Sequence, residues 1–459
     1  MNEGGMISPG STGKGNLIYL YAVSLVAAVG GFLFGFDIGV ISGAIPFITR
    51  QFELNVHQEG FVVSILLLGS VLGAFLGGPL SDRYGRKRIL MLSALLFTVS
   101  AVLSGIPRSM PELLVARFLC GIAVGMASVL SPVYIAEIAP ANIRGHLVAI
   151  NQFAIVIGIL ITYISNWLLV DTGPNNWRWM FTVAAFPSGF FFFALFFLPE
   201  SPRYLMKANR PDQARAVLAR VGGEDSAGAV LEDIRASLTM ESGSLKELFK
   251  PGFRRAIIVG ILLAVFSQWT GMNTVVYYAP DIFMRVGFSN ASSALLAQVM
   301  VGFTNFLFTI VAIMYMDRLG RKPLLLIGLT GMAVCFSLTA FVFESKAINP
   351  VFIIIPILMY VAFFCMSIGP VTWVMLSEIF PTKIRGQAMG IATMSLWIAC
   401  AVLSQTFPWL IENLGGNCFY LYAGICVLAL IFTLTMIPET KNKTLEEIEE
   451  MWLSRIGKG

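Results

Sequence analysis

The sequence predicts an all-α membrane protein: twelve transmembrane helices in two homologous six-helix halves, with short helices on one membrane face. Three observations predict it. First, charged residues are 12% and apolar residues 57% of the 459 positions, where soluble domains carry about 25% charge. Mean hydropathy is +0.79, and a soluble fold this apolar would leave large apolar patches in water. Second, apolar runs of about 20 residues, the length that crosses a bilayer, recur along the chain. Third, charged motifs at the ends of these runs occur twice in the same order. Asp82-Arg83-Tyr84-Gly85-Arg86-Lys87 returns 235 positions later as Asp317-Arg318-Leu319-Gly320-Arg321-Lys322. Glu137 with Ile143-Arg144-Gly145 returns 241 positions later as Glu378 with Ile384-Arg385-Gly386. Pro199-Glu200-Ser201 returns 239 positions later as Pro438-Glu439-Thr440. A near-constant offset marks a duplicated unit of about half the chain.

In chain order, residues 1–16 form a polar tail, and no cleaved signal peptide is expected because the first apolar run is long enough to span. The N-terminal half, 17–198, holds runs near 17–41, 59–80, 89–106, 112–134, 147–168 and 178–198. A polar linker covers 199–254. The C-terminal half, 255–437, holds runs near 256–281, 294–316, 323–343, 351–377, 387–411 and 418–437, and 438–459 form the second tail. Gly30-Gly31, Gly69 with Gly73, and Gly121 with Gly125 place small residues where helix backbones approach closely. In the linker, apolar positions of Asp212–Arg220 and Leu231–Leu238 recur every three to four residues, so short amphipathic helices are expected there. Thr444–Met451 has the same pattern, with Thr444 and Glu447 as a capping box.

Basic residues orient the chain. An even number of spans puts both tails on one side. That side carries 25 of the 31 Lys and Arg residues, the opposite loops 5, and Arg117 lies inside a span. The basic side is cytoplasmic by the positive-inside rule, so both termini of a multi-pass protein of the cell (inner) membrane are expected there. The net charge of +5 gives no support to nucleic-acid binding. The six cysteines are scattered through apolar runs, with neither metal nor disulfide spacing. No cofactor and no metal are expected.

Two ionisable groups lie deep inside spans: Asp37 in the first and Arg117 in the fourth. A buried charge in a bilayer costs at least about 2.5–3.5 kcal/mol, so it is kept for a partner or a task. A permanent pair holding two helices together is the bland alternative; a proton site is the functional one. The duplicate of Asp37 is Asn273, so the second half holds an amide where the first holds an acid. Gln152, Gln268, Gln298 and Asn305 are further amides in apolar context, and Trp373 follows Gly369-Pro370, a pair that bends helices. Amides offer donors and acceptors together, which suits a neutral polyhydroxylated solute. A single amide can equally be a bond between helices worth about 1 kcal/mol.

With these residues in view, the chain resembles the sugar porters of the major facilitator superfamily, in particular bacterial proton–monosaccharide symporters of the xylose, galactose or arabinose type. The resemblance spans about residues 17–450. It rests on Gly78-x-Leu80-Ser81-Asp82-Arg83-Tyr84-Gly85-Arg86-Lys87, Pro199-Glu200-Ser201-Pro202-Arg203, Asp317–Lys322, Gly369-Pro370-Val371-Thr372-Trp373 and Pro438-Glu439-Thr440-Lys441. It implies an alternating-access carrier that acts as a monomer, with a monosaccharide, a proton and the lipid bilayer as partners. Gln152, Gln268, Asn273 and Asn305 match the family's sugar ligands and Trp373 its aromatic platform. Phe34, Tyr278 and Trp397 complete the expected substrate-binding set. Asp37 matches the acid of proton-coupled members, with Arg117 as its partner; passive facilitators commonly carry Asn at that position. Leu396, Cys400 and Ile159 stand where relatives place amides, so the site is expected to be poorer in sugar hydrogen bonds. Asp82, Arg83, Arg86, Glu137 and Arg144, mirrored by Asp317, Arg318, Arg321, Glu378 and Arg385, are expected to form a cytoplasmic gate that latches the halves when the carrier faces outward.

Other classes fit less well. An enzyme would need a nucleophile–base or metal cluster, yet neither His57 nor His146 lies mid-span. A drug exporter of this fold is expected to have a Gly-Pro-rich fifth helix, and Phe153–Gly158 has one Gly and no Pro. A sugar sensor is expected to carry a long cytoplasmic tail. A passive sugar or polyol facilitator is the nearest rival.

Overall fold

The computed structural model describes residues 16–240, 251–345, 349–380, 385–441 and 447. Among them, twelve helices are long and apolar enough to cross a membrane, six on each side of the linker. The first half contains α1 (Leu17–Phe52), α2 (Val56–Tyr84), α3 (Arg86–Gly105), α4 (Met110–Ile138), α5 (Arg144–Leu169), and a sixth span divided into α6 (Asn176–Thr182) and α7 (Ala185–Leu195). The linker forms α8 (Pro202–Lys207), α9 (Pro211–Gly222) and α10 (Glu224–Met240). The amphipathic segments at 212–220 and 231–238 lie inside α9 and α10. The expected C-terminal helix at 444–451 lies outside the described residues, apart from Glu447.

The second half contains a seventh span divided into α11 (Pro251–Trp269) and α12 (Met272–Arg285), then α13 (Ala291–Leu319) and α14 (Arg321–Glu344). A tenth span follows, divided into α15 (Ile354–Met366) and α16 (Ile368–Ile379), then α17 (Arg385–Leu414) and α18 (Asn417–Met436). The seventh span breaks at Gly271, whose φ of +96° is the left-handed region. The tenth breaks at Ser367, with φ −128° and ψ −99°, two residues before Gly369-Pro370. The helices run past the apolar stretches that identify them, because their polar end turns cost nothing in water.

The glycine pairs allow close packing. A Cβ on Gly69 or Gly73 of α2 would collide with the carbonyls of Phe118 and Ile122, and one on Gly121 or Gly125 of α4 with those of Leu66 and Ser70. The two helices therefore interlock backbone to backbone, as dispersion-driven packing in lipid favours.

The three repeated motifs meet at one place in each half. Gly85 opens α3 at φ +102° and Gly320 opens α14 at φ +91°. The turn brings the backbone N–H groups of Arg86 and Lys87 onto Glu200, at 2.9 and 3.1 Å. In the second half Arg321 and Lys322 donate to Glu439 at 3.2 and 3.0 Å. A carboxylate at a helix N-terminus satisfies orphan donors and complements the helix dipole. Side chains repeat the symmetry. Arg86 Nε donates to Glu137 at 3.0 Å and Arg321 Nη2 to Glu378 at 2.9 Å, while Ser201 and Thr440 donate their hydroxyls to those same acids.

The halves touch through α2 on α17, α5 on α13 and α1 on α12. Among the described residues, the side-chain hydrogen bonds between them lie at the end away from the tails, where α2 begins and α17 finishes. Ser64 Oγ donates to Gln405 Oε1 at 2.7 Å, and Gln405 Nε2 to the His57 carbonyl at 2.9 Å. Tyr163 donates to the Val276 carbonyl at 3.1 Å. At the tail end, the ion pairs among the described residues join groups of the first half and its linker, or groups of the second half. Among the described residues, the two halves are thus bonded at the far end and share no ion pair at the tail end.

Candidate functional site

Asp37 and Arg117 meet. α1 and α4 pack against each other, and Arg117 Nη1 donates to Asp37 Oδ1 at 2.8 Å. Both are deeply buried, with 1% of Arg117 and 7% of Asp37 exposed. The guanidinium carbon stands 5.3 Å from the Phe181 ring centre, a cation–π contact. The pair is incompletely satisfied: Asp37 Oδ2 and Arg117 Nε are buried with no hydrogen-bond partner. Desolvating two charges costs several kcal/mol per ion, and only excellent geometry with all lone pairs satisfied repays it. A pair that leaves two polar atoms unsatisfied is therefore poorly explained as helix glue. Sequence reasoning missed a third member, Cys120, one turn along α4, whose thiol lies 3.1 Å from Asp37 Oδ1. The i, i+3 spacing from Arg117 was the available signal.

The amides of the seventh span are also brought together. Asn273 Nδ2 donates to Gln268 Oε1 at 2.5 Å across the Gly271 break, and approaches Cys400 Sγ at 3.0 Å. Gln268 and Asn273 are half-buried. The break frees them from one continuous helical face. Tyr277, one turn past Asn273, is buried and lies within electrostatic range of Cys400, Asp37 and Arg117. Phe34 of the first half and Trp397 of the second meet edge to face at 5.5 Å between ring centres. Trp397 Nε1 is buried without a partner, an indole donor near the contact between halves.

Other expected ligands are placed differently. Asn305 is buried, and its Oδ1 accepts from the Cys365 thiol at 3.3 Å. A Phe153–Phe306 ring contact of 5.2 Å joins α5 and α13 at the positions adjoining Gln152 and Asn305. Gln152 and Trp373 stand exposed, apart from the hydrogen-bonded group formed by Gln268, Asn273 and Cys400. Tyr278 is fully buried and its hydroxyl donates to the Ser404 carbonyl at 2.8 Å, so in this conformation that hydroxyl is committed to α17. Gln298 is likewise committed, donating to the Val276 carbonyl at 3.1 Å.

Of the gate residues, Arg86 chelates Glu137 and also pairs with Asp82 at 2.9 Å, and Lys207 of α8 reaches Asp82 at 3.2 Å. Arg83 lies 5.2 Å from the Tyr84 ring and Arg318 5.9 Å from the Tyr315 ring, both cation–π contacts. Arg144 is exposed at the start of α5. The side chains of Asp317 and Arg385 lie outside the described residues. Glu200, Ser201, Glu439 and Thr440 are members of these clusters that charge counting did not single out, although their motifs were visible.

Nearly the whole chain has known counterparts. Residues 23–452 match the family described as sugar (and other) transporters. The arabinose-proton symporter of Bacillus subtilis (strain 168) is 42% identical over 443 residues, covering 95% of each chain. The inward open conformation of the xylose transporter XylE from E. coli superposes with a TM-score of 0.85 at 38% identity, over 95% of this chain and all of that one. The same proton:xylose symporter bound to 6-bromo-6-deoxy-D-glucose gives a TM-score of 0.79 at 38% identity, with 95% and 100% coverage.

Proposed function

Because the chain belongs to the sugar (and other) transporter family, we propose that it imports a monosaccharide together with a proton by alternating access. The observation that carries this reading is the buried Asp37–Arg117 pair at 2.8 Å, in a fold whose halves are hydrogen-bonded at the far end. Protonating Asp37 removes one charge of the pair and releases Arg117 from it. A ligand shifts a conformational equilibrium only by its differential affinity for the two states. The proton supplies that difference, and its fall through the membrane potential contributes about 2.3 kcal/mol per 100 mV.

The sugar is read by Gln268 and Asn273 at the Gly271 break, with Phe34 and Trp397 packing over them from the two halves. Gln152, Asn305 and Trp373 join the site from α5, α13 and α16, and Tyr278 closes it when the far end seals. Support comes from the amide pair itself: two neutral amides with spare donors and acceptors fit hydroxyl groups, and Arg117 is the single basic residue deep within a span, already engaged by Asp37 rather than offered to a carboxylate or phosphate. The far-end bonds, with the higher TM-score to the inward open structure, support an inward-facing state. The tail-end clusters then form the opposite latch. Asp82, Arg83, Arg86, Glu137 and Arg144 engage Asp317, Arg318, Arg321, Glu378 and Arg385 when the carrier faces outward. By charge asymmetry the tails are cytoplasmic, and the protein works as a monomer in the cell membrane.

The test is Asp37→Asn in proteoliposomes. Uphill accumulation should be lost while counterflow exchange of labelled sugar persists. An Asn variant that still concentrates sugar would refute the proton assignment.

A further inference from the structure

The two oxygens of the Asp37 carboxylate are not equivalent. Oδ1 receives Arg117 Nη1 at 2.8 Å and the Cys120 thiol at 3.1 Å. Oδ2 is buried and receives nothing. A small cavity beside the carboxylate holds about 10 Å³ of space for the centre of a water-sized molecule, the lower bound for one water. It lies inside the first half, with Asp37 and Cys120 on its wall together with Ala101 and Ser104 of α3 and Phe181 of α6.

We infer that Cys120 is a positioning residue of the proton site: its thiol and Arg117 together occupy Oδ1 and fix the carboxylate, which leaves Oδ2 as the oxygen that takes the proton. This deepens the proton-symport reading and rests on it. The thiol has one proton to donate. Ser100 is also within reach of it, but a charged oxygen is the stronger acceptor, and the Ser100 hydroxyl is already donated to the Phe97 carbonyl at 3.0 Å. Cys120 thus ties the carboxylate to α4 through a second donor beside Arg117. The charged and titratable groups that contact Asp37 are Arg117 and Cys120 from α4, and Tyr277 of α12 lies within electrostatic range of it. The wall residues from α3, α6 and the α6–α7 turn, Phe97, Ala101, Ser104, Phe181 and Ala184, carry no ionisable group. Thr162 of α5 donates to the Phe36 carbonyl, and α5 offers only neutral groups at this level. The set is therefore small enough for one thiol to be read in the pH profile.

The experiment compares the pH dependence of proton-driven sugar uptake in proteoliposomes for the wild type, Cys120→Ala and Cys120→Ser, with counterflow as the check on folding. Losing one hydrogen bond to the charged form should move the Cys120→Ala profile to higher pH by roughly 0.5–1 unit, a three- to tenfold change in proton affinity. Cys120→Ser, which keeps a donor, should return it to within a few tenths of a unit of the wild type. An alanine profile superimposed on the wild type in a counterflow-competent protein would overturn the inference. Failure of the underlying reading looks different, because Asp37→Asn would then still accumulate sugar.

Discussion

Replacing Gln405 by alanine should shift the sugar-free protein away from the far-end-closed state. Gln405 of α17 holds α2 twice, accepting from Ser64 Oγ at 2.7 Å and donating to the His57 carbonyl at 2.9 Å. Gly60 leaves no room for a side chain there, since a Cβ would stand 2.5 Å from the Gln405 carbonyl oxygen. The two bonds join opposite halves, so they exist only while the far end is closed. Each contributes about 0.5–1.5 kcal/mol net. Together the loss is about 1–3 kcal/mol, roughly a five- to 150-fold change in the ratio of inward- to outward-facing molecules. Spin labels at Tyr84 and Leu319, both exposed at the tail end of the two halves, report that ratio as a distance distribution. The prediction is a gain in the shorter tail-end distance, because closing the tails accompanies opening the far end. A distribution identical to that of the parent, or a longer mean distance, would show that these bonds do not hold the far end closed.

Gln268→Ala and Asn273→Ala should each weaken sugar binding about two- to tenfold, one hydrogen bond's worth, measured by competition in equilibrium binding; wild-type affinity in the double variant would remove them from the site. Arg117→Leu strips Asp37 of its cation, and breaking a buried pair costs about 3–5 kcal/mol, so uphill transport should fail and thermal stability in detergent should drop; a variant that still concentrates sugar would contradict the role. Glu137→Ala should destabilise more than Glu378→Ala in the same thermal assay, because Arg86 and Glu137 are 8% and 11% exposed against 14% and 22% for Arg321 and Glu378; equal losses would mean that burial does not govern these clusters.

Much of this architecture was legible in the sequence because membrane insertion simplifies the problem. An apolar run must become a helix when no water is present to satisfy its backbone, and a duplicated motif must find duplicated surroundings. Hence the twelve spans, the two halves and the meeting of Asp37 with Arg117 could be read directly. The helix breaks were harder. Gly369-Pro370 marks the right region, but the chain breaks at Ser367, because proline lacks the N–H that would continue the helix back to Met366 and its ring clashes with that carbonyl, while it is tolerated in the first turn of α16. The break at Gly271 depends on one glycine among the 43 of the chain. Ligand roles were harder still. Cys120 and Cys400 read as small apolar residues until the crossing of α1, α4, α12 and α17 sets their thiols beside Asp37 and Asn273. Tyr278 looks like a ligand in sequence, yet its hydroxyl serves α17 here, which only the packing of the two helices decides.

In a symporter, sugar and proton move together. The direct measurement is the pH of a lightly buffered suspension of energy-depleted cells carrying the protein when xylose, arabinose, galactose or glucose is added. A transported sugar should alkalinise the medium, an effect abolished by Asp37→Asn while labelled-sugar exchange persists. Sugar entry with no pH change in the parent protein would contradict it and identify a passive facilitator.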